Sequence, residues 1–182
     1  MSTLRFNTWQ NTGGTEVANS TLGTGKILQV VSTTKSDTFS ASIAAAGSSA
    51  VTGLTATITP SSTASKILVI STVHGATSSG PSGSASYSLT RDGTLIAQPT
   101  SPGSRIPMTI YSYGELANSV MAAGTAVYLD SPASTSSLVY GVSVVNVDST
   151  TQTLYVNRAS DDSDLASRRR AVSTITVMEV SA

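Results

Sequence analysis

His74 is the only histidine in this 182-residue chain, and about a third of the residues are Ser or Thr. A serine nucleophile needs a base at hydrogen-bond range and a third group to orient that base. Hydroxyls and an imidazole are present, but no G-x-S-x-G turn accompanies them. A histidine that closes the apolar run 66–73 reads as a packed or hydrogen-bonded residue. Glycoside hydrolysis requires two carboxylates facing across a cleft. The chain offers Glu16, Glu115 and Glu179 beside seven aspartates that fall mostly in turns, and no spacing singles out a pair. The expectation is therefore a protein that is not an enzyme.

Asp161, Asp162 and Asp164 form the one acidic cluster. Carboxylates gathered on a flexible loop bind hard cations such as calcium. Here the EF-hand spacing and its glycine are missing, and Arg158, Arg168, Arg169 and Arg170 stand close enough in sequence to neutralise the aspartates. No cofactor is expected, and calcium at the three aspartates is the alternative. The run 168–170 is the only basic stretch, and the net charge is zero, so the field that gathers phosphates is missing and no nucleic-acid partner is expected. Gly13, Gly14, Gly80 and Gly83 sit in Gly-rich spots without a P-loop lysine. Tyr111 and Tyr113 share a face of one strand candidate, beside a loop at 99–107 that carries Arg105. Tyrosine is enriched at interfaces, and these three residues are the candidates for contact with a receptor. Tyr128 and Tyr140 lie within strand patterns and read as core or subunit seam.

The elements that would position these residues are strands. Only 11% of residues are charged, against about 25% in an ordinary soluble domain, and cysteine is absent. Thr, Val, Ile and Tyr, which favour pleated strands, dominate the ordered-looking stretches. From Gly25 onward strand signals recur every 8–15 residues or so, at 26–31, 51–59, 66–73, 106–113, 120–129, 138–147, 153–157 and 174–180, the spacing of a sandwich or barrel. The continuous apolar run at 66–73 predicts a central strand covered on both faces. Asp92-Gly93 joins two alternating stretches and predicts a type I′ hairpin in which Leu89 faces Ile96 and Thr90 faces Leu95. No segment has a capped 3.6-residue period; the nearest, 115–123, reads as a loop or strand approach. The fold expected is all-β, an antiparallel sandwich of jelly-roll type over 26–182. Residues 1–25 read as an extended arm, with Leu4, Phe6 and Trp9 set to fold back on the domain or to dock into a partner. The first ten residues lack the apolar core of a secretory signal, and no stretch approaches a membrane span. The protein is expected to be made in a cytoplasm and not to insert in a membrane.

Several separated motifs carry a resemblance: GKILQVV, KSDTFS, VTGLTATITPSSTASKILVI, YSLTRDGTLIA, YLDSPASTSSLVYGVSV, LYVNRASDDSD and STITVMEV, with LRFNTWQNTGGTEVAN at the start. Together they resemble structural proteins of phages of marine and freshwater bacteria, of the tail-fibre type. The strand order and the ending STITVMEV are also similar to trimeric jelly rolls of the TNF and C1q type, which implies a homotrimer. The resemblance implies a virion protein that attaches through its N-terminal arm to other virion proteins and touches a host-surface glycan or protein with loops at 76–85 and 99–107. Its alternative is a capsid decoration protein that covers or stabilises the head shell.

Overall fold

The structure, a computed structural model, describes residues 25–78, 84–100, 103–113 and 119–182. Eleven strands and no helix form among them: β1 (Ile27–Lys35), β2 (Phe39–Ile43), β3 (Ser48–Ile58), β4 (Lys66–Thr77), β5 (Ser84–Arg91), β6 (Thr94–Ile96), β7 (Ile110–Tyr113), β8 (Ala122–Asp130), β9 (Leu138–Val145), β10 (Gln152–Val156) and β11 (Ser173–Val180). All their ladders are antiparallel. Leu4, Phe6, Trp9 and the rest of the expected arm up to residue 24 lie outside the described residues.

Five ladders nest the chain from its ends inward: β1 with β11, β2 with β10, β3 with β9, β4 with β8, and β5 with β7. This is a long antiparallel ribbon folded over on itself, the jelly roll. Ladders β4–β11 and β5–β9 then join the ribbon into two sheets. One has six strands, in which β11 and then β10 occupy successive stretches of one edge of β4 while β8 takes the other. The other has five, with β7 and β6 sharing the outer edge of β5.

The apolar set expected of the 51–59 stretch faces inward: Val51, Leu54, Ala56 and Ile58 are all buried. They meet Ile67, Val69 and Val73 of β4, Tyr87 and Leu89 of β5, Tyr140 and Val142 of β9, and Ile175 and Val177 of β11 in one core. Each such aliphatic side chain contributes about 1.5–3 kcal/mol through burial. At Gly53 the backbone turns to a φ of +79°, and the β3–β9 register slips between Ala50 and Thr55, so Val51 and Leu54 both reach the core across a bulge. The hairpin forms in the expected register, Leu89 opposite Ile96 and Thr90 opposite Leu95. Asp92 and Gly93 both adopt positive φ, 51° and 78°, as the type I′ turn demands.

Two local expectations need correction, and one strand was not foreseen. β4 is central in its sheet, but only one of its faces is covered: Ile67, Val69 and Val73 are buried, while Leu68 and Ile70 are partly exposed. A four-residue apolar run satisfies a one-sided strand as well as a two-sided one, because alternation sends half of it outward. The strand buried throughout from Ser84 to Thr90 is β5 instead, where serines alternate with Ala85, Tyr87 and Leu89. Strand 106–113 shortens to Ile110–Tyr113. Finally, β2 emerges over FSASI, a segment whose only large apolar residues are Phe39 and Ile43.

Candidate functional site

Tyr111 and Tyr113 do share a strand, β7, where Tyr111 pairs with Ser86 and Tyr113 with Ser84 on the free edge of β5. Tyr111 is 58% exposed. Arg105 is exposed in the excursion that joins β6 to β7, five residues before that strand begins. This excursion leaves the sheet edge opposite Leu89 and returns opposite Tyr87. The 76–85 segment lies elsewhere. Its two ends are strand, with Ala76, Thr77, Ser84 and Ala85 all buried, so the connection itself is confined to 78–83. The two segments therefore leave the fold at different places, one at the start of β5 and the other along its edge. Residues 79–83 and 101–102 lie outside the described set.

The acidic loop is organised by arginine. Arg168 donates from Nε and Nη2 to Asp161 at 2.7 and 2.6 Å. Arg170 grips Asp162 in a bidentate pair, both contacts at 2.8 Å, and Arg158 approaches the same carboxylate at 3.5 Å. The guanidinium of Arg158 also lies 4.6 Å from the centre of the Tyr155 ring. Arg168, with the amide and hydroxyl of Ser163, holds the Asp161 carboxyl well below the usual carboxylate range. A cavity of about 300 Å³ opens beside these pairs, lined by Asp162, Ser163, Asp164, Leu165, Arg168 and Arg170. Asp161, Asp162 and Asp164 do not converge on one point. Among the described residues no three His, Cys, Asp or Glu side chains are placed to hold a metal ion.

The remaining candidates are tied into structural bonds. The His74 ring Nδ1 lies 2.9 Å from the Val172 carbonyl, and the His74 amide donates to Ser173 Oγ at 3.0 Å. Ser173 in turn donates to Asn157 Oδ1 at 2.6 Å, and the Asn157 amide donates to the carbonyls of Lys35 and Asp37. Ser173 therefore meets the backbone of the histidine, and its own proton goes to an asparagine. This network locks the ends of β1, β4, β10 and β11 together.

Glu179 is buried and accepts from the amide and hydroxyl of Ser61 at 2.7 and 2.6 Å and from Gln29 Nε2 at 2.6 Å. Burial raises its pKa, but the bonds from Ser61, Gln29 and Ser65 outweigh that and bring it down to about 2. Asp130 is likewise buried between Arg91 and the Tyr140 hydroxyl, which donates at 2.7 Å. Glu16 and Glu115 lie outside the described residues.

Two things escaped the sequence reading. One is the polar interior: alternation with Ile175 and Val177 was the signal that Glu179 faces inward, and nothing local marks Asn157 as buried. The other is the outward face of the six-stranded sheet, where Val30, Val127 and Leu129 are 55, 68 and 46% exposed. Its signal was the unbroken apolar run at 67–70, which sends Leu68 and Ile70 to that face.

No protein-family model matches the chain, and no curated protein matches it.

Proposed function

We propose that the protein is a structural component of a bacteriophage virion, a tail-fibre or fibre-tip subunit. In this reading it assembles as a homotrimer, attaches to other virion proteins through residues 1–25 around Leu4, Phe6 and Trp9, and contacts a host-surface glycan or protein. The observation that carries the reading is where the family-like motifs fall. GKILQVV is the start of β1, VTGLTATITPSSTASKILVI spans β3 and β4, YSLTRDGTLIA is the β5–β6 hairpin, and STITVMEV is β11. The resemblance thus runs through the framework of the whole sandwich and is not confined to one loop. The engagement of His74, Glu179, Asp130 and Asp161 in structural bonds agrees with an architectural role, as does a surface poor in charge. Of the described receptor candidates, Tyr111 offers an exposed aromatic ring for stacking, and Arg105 a cation near the same sheet edge.

Quantitative mass spectrometry of purified phage particles tests this. Tens of copies per particle support a fibre. Hundreds would make the protein a head decoration, and its absence from the particle would overturn the virion reading altogether.

A further inference from the structure

Sheet edges expose unpaired backbone groups, and folded proteins guard them with bulges, short strands, prolines or lysines. Most edges of this sandwich are guarded. β1 and β3 each carry a bulge, between Ile27 and Gln29 and between Ala50 and Thr55. β2, β6 and β7 are five, three and four residues long. In contrast, the nine residues of β8 pair with β4 from Asp130 to Ala122 without a slip, and among the described residues β8 has no second ladder. Its sequence, AAGTAVYLD, contains neither lysine nor proline. Its one charge, Asp130, is turned inward to Arg91 and Tyr140.

The register shows which backbone groups of β8 are free. The His74 amide donates to Ser173 Oγ and the His74 carbonyl accepts from the Asn157 amide, both on the side of β4 away from β8. His74 and Ala123 are therefore a non-hydrogen-bonded pair. The Ala123 carbonyl accordingly points outward, where Ser112 Oγ donates to it at 3.3 Å. Alternation carries this pattern along the regular ladder, so Thr125, Val127 and Leu129 also turn their amides and carbonyls to the free edge. The side chains of the same three residues are exposed, that of Val127 most of all. An extended segment laid along β8 meets these groups in hydrogen-bonding register, the geometry of strand addition. A residue placed opposite Val127 stands on the same face as Val127.

The sequence holds an occupant. Residues 1–24 precede Gly25, and a stretch of that length spans up to about 80 Å when extended. Leu4, Phe6 and Thr8 alternate there with Arg5 and Asn7, a strand pattern that sets Leu4 and Phe6 on one side. In one register those two side chains lie against Val127 and Leu129.

We propose that residues 1–24 of one copy add as an extra strand to the β8 edge of another copy. The inference rests on the virion reading above and names the acceptor of the arm. An arm laid along its own edge has nothing left with which to attach.

The chain has no cysteine, so engineered ones report the contact directly. Full-length Phe6→Cys and Val127→Cys proteins are mixed under mild oxidation and resolved without reductant. Partners in a hydrogen-bonded cross-strand pair lie about 5.5 Å apart at Cα, within disulfide range. A mixed band at twice the 18.5 kDa chain, about 37 kDa, is expected. Leu4→Cys run in parallel captures a register shifted by two residues. Thr57→Cys, on the exposed side of the other sheet, is expected to give no such band. Val127→Pro removes an edge amide without touching the β4 ladder; added to a Thr125→Cys copy, it is expected to abolish that copy's cross-link to the arm with circular dichroism unchanged. The proposal is overturned if neither arm variant gives a mixed band, if Thr57→Cys gives an equal one, or if Val127→Pro leaves the cross-link intact. It is also overturned if a Phe6→Cys/Val127→Cys double variant closes only on itself, or if Val127→Cys copies pair with one another in preference to the arm. A mixed band from a protein that is missing from particles sinks the virion reading alone. Protein present in particles without the band sinks strand addition alone.

Discussion

Replacing Gly75 with alanine should cost this fold more than any other one-carbon change on β4. Gly75 lies at an inward position where β4 is flanked by β10 and β8, pairing with Val156 on one side and Ala122 on the other. Tyr87, among the largest fully buried side chains, crosses from the opposite sheet to this spot. A Cβ at residue 75 would come closer than 3.0 Å to both the Tyr155 carbonyl oxygen and the Tyr87 hydroxyl. Carbon contacts settle near 3.5–4.0 Å. Both neighbours must therefore move by more than half an ångström. The carbonyl belongs to the β10 ladder, so it cannot yield without loosening the pairing of Leu154–Val156 with β4.

Overpacking in a core costs about 1–3 kcal/mol, and a backbone obstacle puts Gly75→Ala near the top of that range. In a domain of this length about 3 kcal/mol lowers Tm by roughly 6–12 °C. Thermal melts followed by circular dichroism read this directly. Tyr87→Phe supplies the second leg. The Tyr87 hydroxyl is buried with no hydrogen-bond partner among the described residues, so its removal should change stability by less than about 1 kcal/mol. In the Gly75→Ala background the same change removes one of the two overlaps and should recover a third or more of the loss. A Gly75→Ala protein melting within about 2 °C of wild type would refute the reasoning, and so would a double variant no better than the single one.

Other perturbations probe the buried polar groups and the turn. The Glu179 carboxyl titrates lower in the folded state, near pH 2, than in the unfolded chain, near the ordinary 4.5. Its contribution is therefore complete above about pH 4.5 and is lost as pH falls toward 2; Glu179→Gln should be less stable at neutral pH by about 1.5–3 kcal/mol and show a flatter acid limb in urea titrations. Asp130→Asn removes the anion that Arg91 and the buried Tyr140 hydroxyl share and should cost about 2–4 kcal/mol by chemical denaturation, moderated because Arg91 is 30% exposed. Gly93→Ala, at a φ of +78°, should destabilise the hairpin by about 1 kcal/mol, with hydrogen-exchange protection lost at Leu89 and Thr90 before the rest of β5.

Local patterns were legible in the sequence, and the long-range geometry was not. The hairpin could be read because a two-residue loop fixes register on its own: Asp92-Gly93 determines that Leu89 faces Ile96. The break at Gly53 was visible because glycine in an alternating strand marks a bulge. By contrast, the β1–β11 ladder joins residues about 150 positions apart, and no local signal specifies that Val30 meets Met178. β2 went unread because FSASI holds its place through the β10 ladder and not through its own apolar content. The same limit governs the candidate surfaces. The charge balance around Asp161 was readable from four nearby arginines, and three of them, Arg158, Arg168 and Arg170, pair with its aspartates. The open edge of β8 was hidden because outward Val127 and Leu129 look like core residues until the register of β8 against β4 is known.

The proposed virion role is tested most directly by immunogold labelling of intact virus particles purified from a culture that expresses this sequence, with an antibody raised against residues 26–182. The account predicts gold at the tail and its fibres. Particles that stay unlabelled, while the same antibody detects free protein in the lysate, would contradict it.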